Sequence, residues 1–243
     1  MSRIESLQNA NVKKWASLSQ KKYRDMYNLF LVENEHLIKE AIEANILEEL
    51  IIIEEEVDKY DFNNISIVTE NIMKKISSST STAKAIGVCR KADLDIDNPN
   101  RVVILDDIQD PGNLGTIIRT ATAFGFDAIY LSLESCDQYN SKVIQSSQGA
   151  LFKMPIYRSN LKDIITSLKK DGFYIVGTSL QESNLLEKVE AKDKMAFVFG
   201  NEGNGIKKEI LDMCDENVFI EINNFESLNV AVASGIVLYK FSK

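Results

Sequence analysis

With 243 residues, 44% of them apolar, the chain has the length and the apolar side chains for one large packed domain or two modest ones. Its 36 acidic residues outnumber 28 basic ones, and a formal charge of -8 excludes nucleic-acid binding by bulk charge. One histidine, His36, and three scattered cysteines, Cys89, Cys136 and Cys214, exclude a His-based metal site, a Ser-His-Asp triad and a disulfide framework, so no metal is expected.

No apolar run approaches the roughly 20 residues that span a membrane. The opening MSRIESLQNANVKKW lacks the apolar core of a secretory signal, which makes the cytoplasm the expected location. The first distinctive stretch is basic: Arg3, Lys13, Lys14, Lys21, Lys22 and Arg24 face only Glu5 before Asp25 is reached. Such a stretch reads either as a solvated face or as a local arm that contacts RNA phosphates. Next, EHLIKEAIEAN places Leu37, Ile38, Ala41 and Ile42 on one helical face, and ELIII and ISIVT are short β-branched runs, together predicting a small α/β domain. ISSSTSTAK, residues 76–84, reads as a polar loop whose hydroxyls could also donate to phosphate. The acidic, proline-bearing ADLDIDNPN reads as a linker, with a boundary near Asp95 dividing residues 1–95 from 96–243.

Beyond the linker the strand candidates are RVVIL, AIYLS, FYIVGTS, AFVFG and NVFIEI, with helical patterns between most of them. That alternation predicts a parallel sheet covered on both faces. Ligands of such sheets sit beyond the carboxyl ends of the strands, which directs attention to the loops after Leu105, Gly177, Gly200 and Ile222.

Three loops carry unusual residues. In LDDIQDPGNLGTIIRTATAFG, Asn113 is a candidate cap for a helix starting near Leu114, and Gly112 and Gly115 permit tight turning. Neither a G-x-G-x-x-G fingerprint nor a P-loop is present. Arg119 sits beside an apolar stripe and needs an acceptor: Asp106, Asp107 or Asp110, the solvent, or a ligand's phosphate or carboxylate. In VFGNEGNGIKKEIL, Gly200, Gly203 and Gly205 would let backbone amides approach a ligand, with Glu202 among them. In FIEINNFESLNVAVASGIVLYKF, Ser227 is a candidate cap for a final helix from Leu228, apolar on nearly every side and therefore bound for the core or a subunit interface.

In this order and spacing, N-x-G-x-x-x-R, G-N-E-G-x-G and E-S-L-N-V-A-V-A-S-G resemble the three signature motifs of the SpoU branch of the SPOUT RNA methyltransferases. The resemblance covers essentially the whole chain, the first part being similar to the family's L30e-like, amino-terminal RNA substrate-binding domain. It implies an α/β fold whose carboxyl-terminal domain, a parallel sheet, holds a deep trefoil knot. It further implies a homodimer, S-adenosylmethionine as cofactor, and methylation of a ribose 2'-hydroxyl in structured RNA, rRNA ahead of tRNA. The alternatives are a tRNA methyltransferase and a catalytically inactive RNA-binding or assembly protein of the same fold.

Carried over position by position, the resemblance implies catalytic roles for Arg119, Asn113, Glu202, Ser227 and Asn229. It implies a cofactor site formed by Thr178, Ser179, Gly200, Asn201, Gly203, Ile220, Ile222, Leu228 and Asn229. RNA contacts are expected from Lys13, Lys14, Lys21, Lys22, Arg24 and Arg119. Two departures from the family pattern stand out: Glu221 where proline is common, and Asn34 in FLVEN where the family carries glycine, a position Asn34 would fill by a left-handed conformation.

Overall fold

A computed structural model describes residues 2–78, 83–179, 183–223 and 227–242. The chain begins with β1 (Ser2–Ile4), α1 (Ala10–Ser17), α2 (Lys21–Tyr27), β2 (Leu29–Glu33), α3 (Glu35–Glu43), β3 (Leu47–Ile52), β4 (Ile65–Val68), α4 (Glu70–Ile76) and β5 (Ala85–Arg90). It continues with β6 (Arg101–Asp106), α5 (Pro111–Ala123), β7 (Ala128–Leu131), α6 (Ser141–Ser147), β8 (Ile156–Arg158), α7 (Leu161–Lys170) and β9 (Tyr174–Thr178). The last elements are β10 (Asn184–Leu185), β11 (Met195–Gly200), α8 (Lys208–Leu211), β12 (Glu216–Phe219) and α9 (Val230–Lys240).

These elements form two compact units, one of residues 1–93 with 139–152, the other of residues 94–138 with 153–243. A single boundary near Asp95 misses the return of 139–152 to the first unit. That segment is held there by aromatic packing, with the rings of Tyr139 and Phe152 lying 4.8 and 5.9 Å from that of Phe30. Lys91 Nζ sits 4.9 Å over the Tyr139 ring.

The first unit is built on a sheet of order β1-β4-β3-β5-β2, with β5 antiparallel to both its neighbours. One core gathers Val12, Trp15 and Leu18 around Ile51, Ile86, Val88, Ile72 and Met73. Helix α3 buries Leu37, Ile38 and Ala41, whereas Ile42, expected on the same face, stays 39% exposed at its rim. Asn34 adopts φ 79° and ψ 153°, beyond the left-handed helical well and in a region that glycine alone enters freely. Its side chain accepts the Leu37 N–H at 2.9 Å and caps α3, a bond glycine could not make. In ISSSTSTAK, residues 79–82 lie outside the described residues.

The second unit is a fully parallel sheet of order β10-β12-β9-β11-β6-β7-β8. Its central strands are buried on both faces, which is why RVVIL and AFVFG are continuous apolar runs. Val102, Ile104, Ala196 and Val198 pack with Ile165 and Leu168 of α7. The alternate residue Phe197 meets Phe126 at 5.8 Å and Phe241 at 4.8 Å. Helices α5 and α9 run side by side in the same direction: Asn113 meets Asn229, Thr120 lies against Gly235, and Phe124 meets Tyr239 at 5.6 Å. Strand β12 ends at Phe219, so IEI continues as irregular chain.

Candidate active site

Strand register sets the location of the site. Gly200 pairs with Asp106, Val198 with Gly177, and Thr178 with Val218, so β6, β9, β11 and β12 all end at one edge of the sheet. The chain leaves β6 at Asp107, β9 at Ser179, β11 at Asn201 and β12 at Ile220, all on that edge, where parallel sheets take ligands.

The loop after β11 closes on itself through two backbone bonds between Asn201 and Gly205, at 3.0 and 2.9 Å. A Cβ on Gly200 would lie 2.1 to 2.5 Å from the backbone of Gly205 and Ile206, so only glycine lets this turn close. Asn201 braces the turn from inside: its Oδ1 accepts the Gly203 and Asn204 N–H groups at 2.9 and 3.0 Å, and its Nδ2 donates to the Asp107 carbonyl at 2.8 Å.

That turn presents Glu202 to the start of α5. Its carboxylate accepts the Gln109 N–H at 3.2 Å, the Asp110 N–H at 3.1 Å and the Asn113 Nδ2 at 3.0 Å. Asn113 Oδ1 in turn accepts Asn229 Nδ2 at 3.0 Å, while Asn229 Oδ1 accepts the Ala231 and Val232 N–H groups. One hydrogen-bond chain therefore links all three motif loops and fixes both amide orientations. Burial pushes the Glu202 pKa upward, but the bonds from Asn113 and from the Glu202, Gln109 and Asp110 backbones outweigh it and hold the carboxyl below its ordinary value.

Two expected caps belong to other residues. Helix α5 starts at Pro111 with Asp110 as its cap, accepting the Asn113 N–H at 2.8 Å, which frees the Asn113 side chain for Glu202. Helix α9 starts at Val230 and is capped by Asn229, leaving Ser227 exposed outside the helix.

The loop after β6 is braced by residues that carry no motif. Asp107 holds φ 60°; its N–H donates to Ser132 Oγ at 2.9 Å, and the Ile108 N–H donates to Ser135 Oγ at 3.1 Å. Gln109 Nε2 reaches both Asp107 Oδ1 and the Glu134 carbonyl, the latter at 2.9 Å. Arg158, at the end of β8, fixes the supporting loop by donating to the carbonyls of Ser132, Leu133, Ser135 and Cys136 at 2.6 to 3.1 Å. Buried Asp106 accepts the Lys207 N–H at 2.8 Å and faces Lys207 Nζ at 3.5 Å. The sequence reading missed Gln109, Ser132, Ser135 and Arg158. Their only available signal was polarity at strand ends.

Of the expected site residues, Asn113, Glu202 and Asn229 are bonded together, and Gly200, Asn201 and Gly203 form the adjoining turn. Thr178 ends β9 and Ser179 follows it; the Thr178 hydroxyl is taken up by the Val198 carbonyl at 2.9 Å, and the Ser179 N–H donates to the Val218 carbonyl at 2.9 Å. Ile220 and Ile222 follow β12, and Leu228 precedes α9. Arg119 is exposed and makes no hydrogen bond or ion pair among the described residues, so the expected partners Asp106, Asp107 and Asp110 do not engage it. It lies roughly 120° around α5 from Asn113 and about 9 Å along its axis. In the first unit, Lys13, Lys14, Lys21 and Lys22 lie on α1 and α2, Lys21 paired with Asp25 at 2.5 Å. Arg24 is buried and turned inward, donating to the Leu18 and Ser19 carbonyls at 2.8 Å each, which removes it from the expected RNA-contacting set.

Comparison with known proteins gives two family matches, to the SpoU rRNA Methylase family over residues 100–239 and to the MRM3-like substrate binding domain over residues 9–87. The chain is 34% identical to the 23S rRNA (guanosine(2553)-2'-O)-methyltransferase RlmP of Bacillus subtilis, with 98% of each chain covered. Among solved structures it resembles an rRNA methyltransferase from Sinorhizobium meliloti at 28% identity, TM-score 0.89, covering 98% of this chain and 96% of that one. The AdoMet-bound structure from the same organism matches at TM-score 0.87, with the same identity and coverage.

Proposed function

This chain belongs to the SpoU rRNA Methylase family, and from that premise we propose that it methylates a ribose 2'-hydroxyl in 23S rRNA, using S-adenosylmethionine. The observation that carries the reading is the continuous bond chain from Glu202 through Asn113 to Asn229, which couples the three loops around one strand edge.

The chemistry of the edge suits the cofactor. A sulfonium is a cation, and Asp107, Asp110 and Glu202 gather carboxylates there, Glu202 being held in its ionised form. The loops after β9, β11 and β12 offer backbone groups to the polar ends of such a molecule, with Thr178, Ser179, Gly200, Asn201, Gly203, Ile220, Ile222, Leu228 and Asn229 as its contacts. When bound, S-adenosylmethionine supplies an electrophilic methyl group. The protein then has to hold the ribose oxygen in line and favour its negative charge.

Arg119 carries that second task. A guanidinium stays protonated and is no base, but an exposed cation with no partner among the described residues is free to hold a target phosphate and lower the hydroxyl's pKa. The proton then leaves through phosphate or water. Asn113 positions the loop, and Ser227 borders the reaction centre. Arg119 faces away from the Asn113 cluster, which supports a homodimer in which a site draws on a second copy. Val232, Ile236 and Tyr239 leave an apolar stripe on α9, 53, 40 and 70% exposed, suited to that interface. The trefoil knot implied by family resemblance is part of this reading, supported by a terminal helix lying beside α5.

The test is transfer of labelled methyl from S-adenosylmethionine to unmodified 23S rRNA, with tRNA alongside, followed by mapping of the alkali-resistant linkage. The guanosine named for the Bacillus subtilis relative is the first position to inspect. Label appearing in tRNA alone redirects the substrate, and cofactor binding with no label in either RNA overturns the reading. Arg119→Lys is expected to lower turnover by about tenfold or more, and Arg119→Ala by about a hundredfold, because a point charge does not replace the fork.

A further inference from the structure

Helices α1 and α2 carry Lys13, Lys14, Lys21, Lys22 and Arg24 against a single carboxylate, Asp25. Asp25 is already neutralised twice, by Lys21 and by Lys91, each at 2.5 Å, and its carboxyl is held below its ordinary value by those two bonds. Arg24 is spent on the Leu18 and Ser19 carbonyls. The cations left for an external anion are Lys13, Lys14 and Lys22, and two of these frame aromatic rings. Lys14 Nζ lies 5.2 Å from the centre of the Tyr27 ring, and Lys22 Nζ lies 5.7 Å from that of Tyr23.

The rings themselves are four residues apart on α2, within 17° of parallel and with centroids 6.4 Å apart. Tyr27 is 40% exposed and its neighbour Met26 61%. Neither tyrosine hydroxyl makes a hydrogen bond within the described residues, so polar anchoring does not explain why Tyr27 is kept at the surface with Tyr23 half-buried beside it. Lysines over ring faces at a protein surface gain only about 0.5–1 kcal/mol, too little to account for the exposed apolar area. Two near-parallel rings, each with an ammonium group over it, match what an unpaired nucleic-acid strand offers: flat bases that stack on the rings once the lysines swing out, and phosphates that the lysines then meet. A duplex offers only its phosphates, because its bases are stacked on one another.

On the RNA-methylation reading above, on which this rests, we propose that Tyr23 and Tyr27, with Lys14 and Lys22, form a stacking platform for an unpaired segment of the RNA substrate. The surface thereby contributes a preference for single-stranded or looped RNA, separate from the ribose chemistry of the carboxyl-terminal unit.

Binding of the full-length protein to three labelled RNAs tests this: an unstructured strand, a hairpin with a large unpaired loop, and a fully paired duplex. For the single strand and the loop, Tyr23→Ala/Tyr27→Ala is expected to weaken binding by roughly tenfold or more, the size of losing a stacked base, with the duplex unchanged. Tyr23→Phe/Tyr27→Phe keeps the rings and is expected to stay within about twofold of wild type. Lys14→Gln and Lys22→Gln are each expected to reduce the slope of affinity against salt by about 0.7. A urea unfolding transition that matches the wild type's, measured on every variant, reports that the first unit is folded. Equal loss on all three RNAs, or no loss in the alanine variant, overturns the platform while methyl transfer to 23S rRNA persists. A wild-type protein that neither binds nor methylates RNA overturns the platform and the RNA-methylation reading together.

Discussion

Glu202 is surrounded by donors: two backbone N–H groups of the α5 approach, the Asn113 amide and its own N–H. Because these bonds hold its carboxyl below the ordinary 4.5, its contribution to stability is complete above that value and is lost as pH falls through the lowered one. Urea unfolding between about pH 3 and pH 7 is expected to show that acid limb in the wild type and a flatter one in Glu202→Gln. The same variant turns a donor toward donors, so cofactor affinity falls as well. Asn34 poses the opposite case, a strained backbone kept for a cap. Asn34→Gly loses a cap at a cost of a few tenths of a kcal/mol and relieves about 1–3 kcal/mol of strain, so a Tm higher than wild type is expected. The sequence singled out Asn34, Asn113, Glu202 and Asn229, but not the bonds that join the last three, nor the Gln109 and Asp110 backbone donors to Glu202. Asp110 and Asn113, three residues apart, are both competent caps, and so are Ser227 and Asn229, two apart; only the observed helix start decides between them.

Elements buried on both faces were the most legible. VVIL of β6 and AFVF of β11 are continuous apolar runs because both faces of these strands are buried. Strands β8 and β10, of three and two residues, carry no readable period, and β1, β2 and β5 lie in stretches whose pairing partners are distant. Missing β8 also hid Arg158. Four carbonyls converge on that one guanidinium, and the loop they belong to supports Asp107 and Ile108. Arg158→Met is expected to destabilise the protein by about 2–4 kcal/mol, the size of one or two charge-assisted bonds together with the carbonyls left unpaired. Calorimetry with S-adenosylmethionine is expected to show weaker binding in a variant that still unfolds cooperatively.

At the scale of the whole molecule, α9 was legible as apolar on nearly every side, and the structure divides it into two halves. Ala231, Ser234, Val237 and Leu238 face inward, while Val232, Ile236 and Tyr239 form a largely exposed stripe that Phe124 touches only at Tyr239. Ile236→Asp adds a charge to that stripe without entering the core, and light scattering is expected to report monomers where the wild type gives dimers, with turnover lost in parallel. A monomeric wild type would remove the dimer from the proposed function. The net charge of -8 remained uninformative about RNA because it averages over units whose local charge differs, the α1–α2 surface being basic. The chain order of the two units could not be read either. Nothing in SKVIQSSQGALF announces that it packs with β2, because Phe30 lies more than a hundred residues before its aromatic partners Tyr139 and Phe152.

That return sets a timetable for biosynthesis. All five strands of the first sheet have been synthesised once residue 90 emerges from the ribosome, yet Phe30 gains its aromatic cover only when residue 152 has followed. By then residues 94–138, with the first two strands of the second sheet, are already outside and waiting for β9 and β11. The nascent chain therefore matures as two interleaved halves, and a pause in translation between residues 93 and 139 leaves both of them unfinished at once.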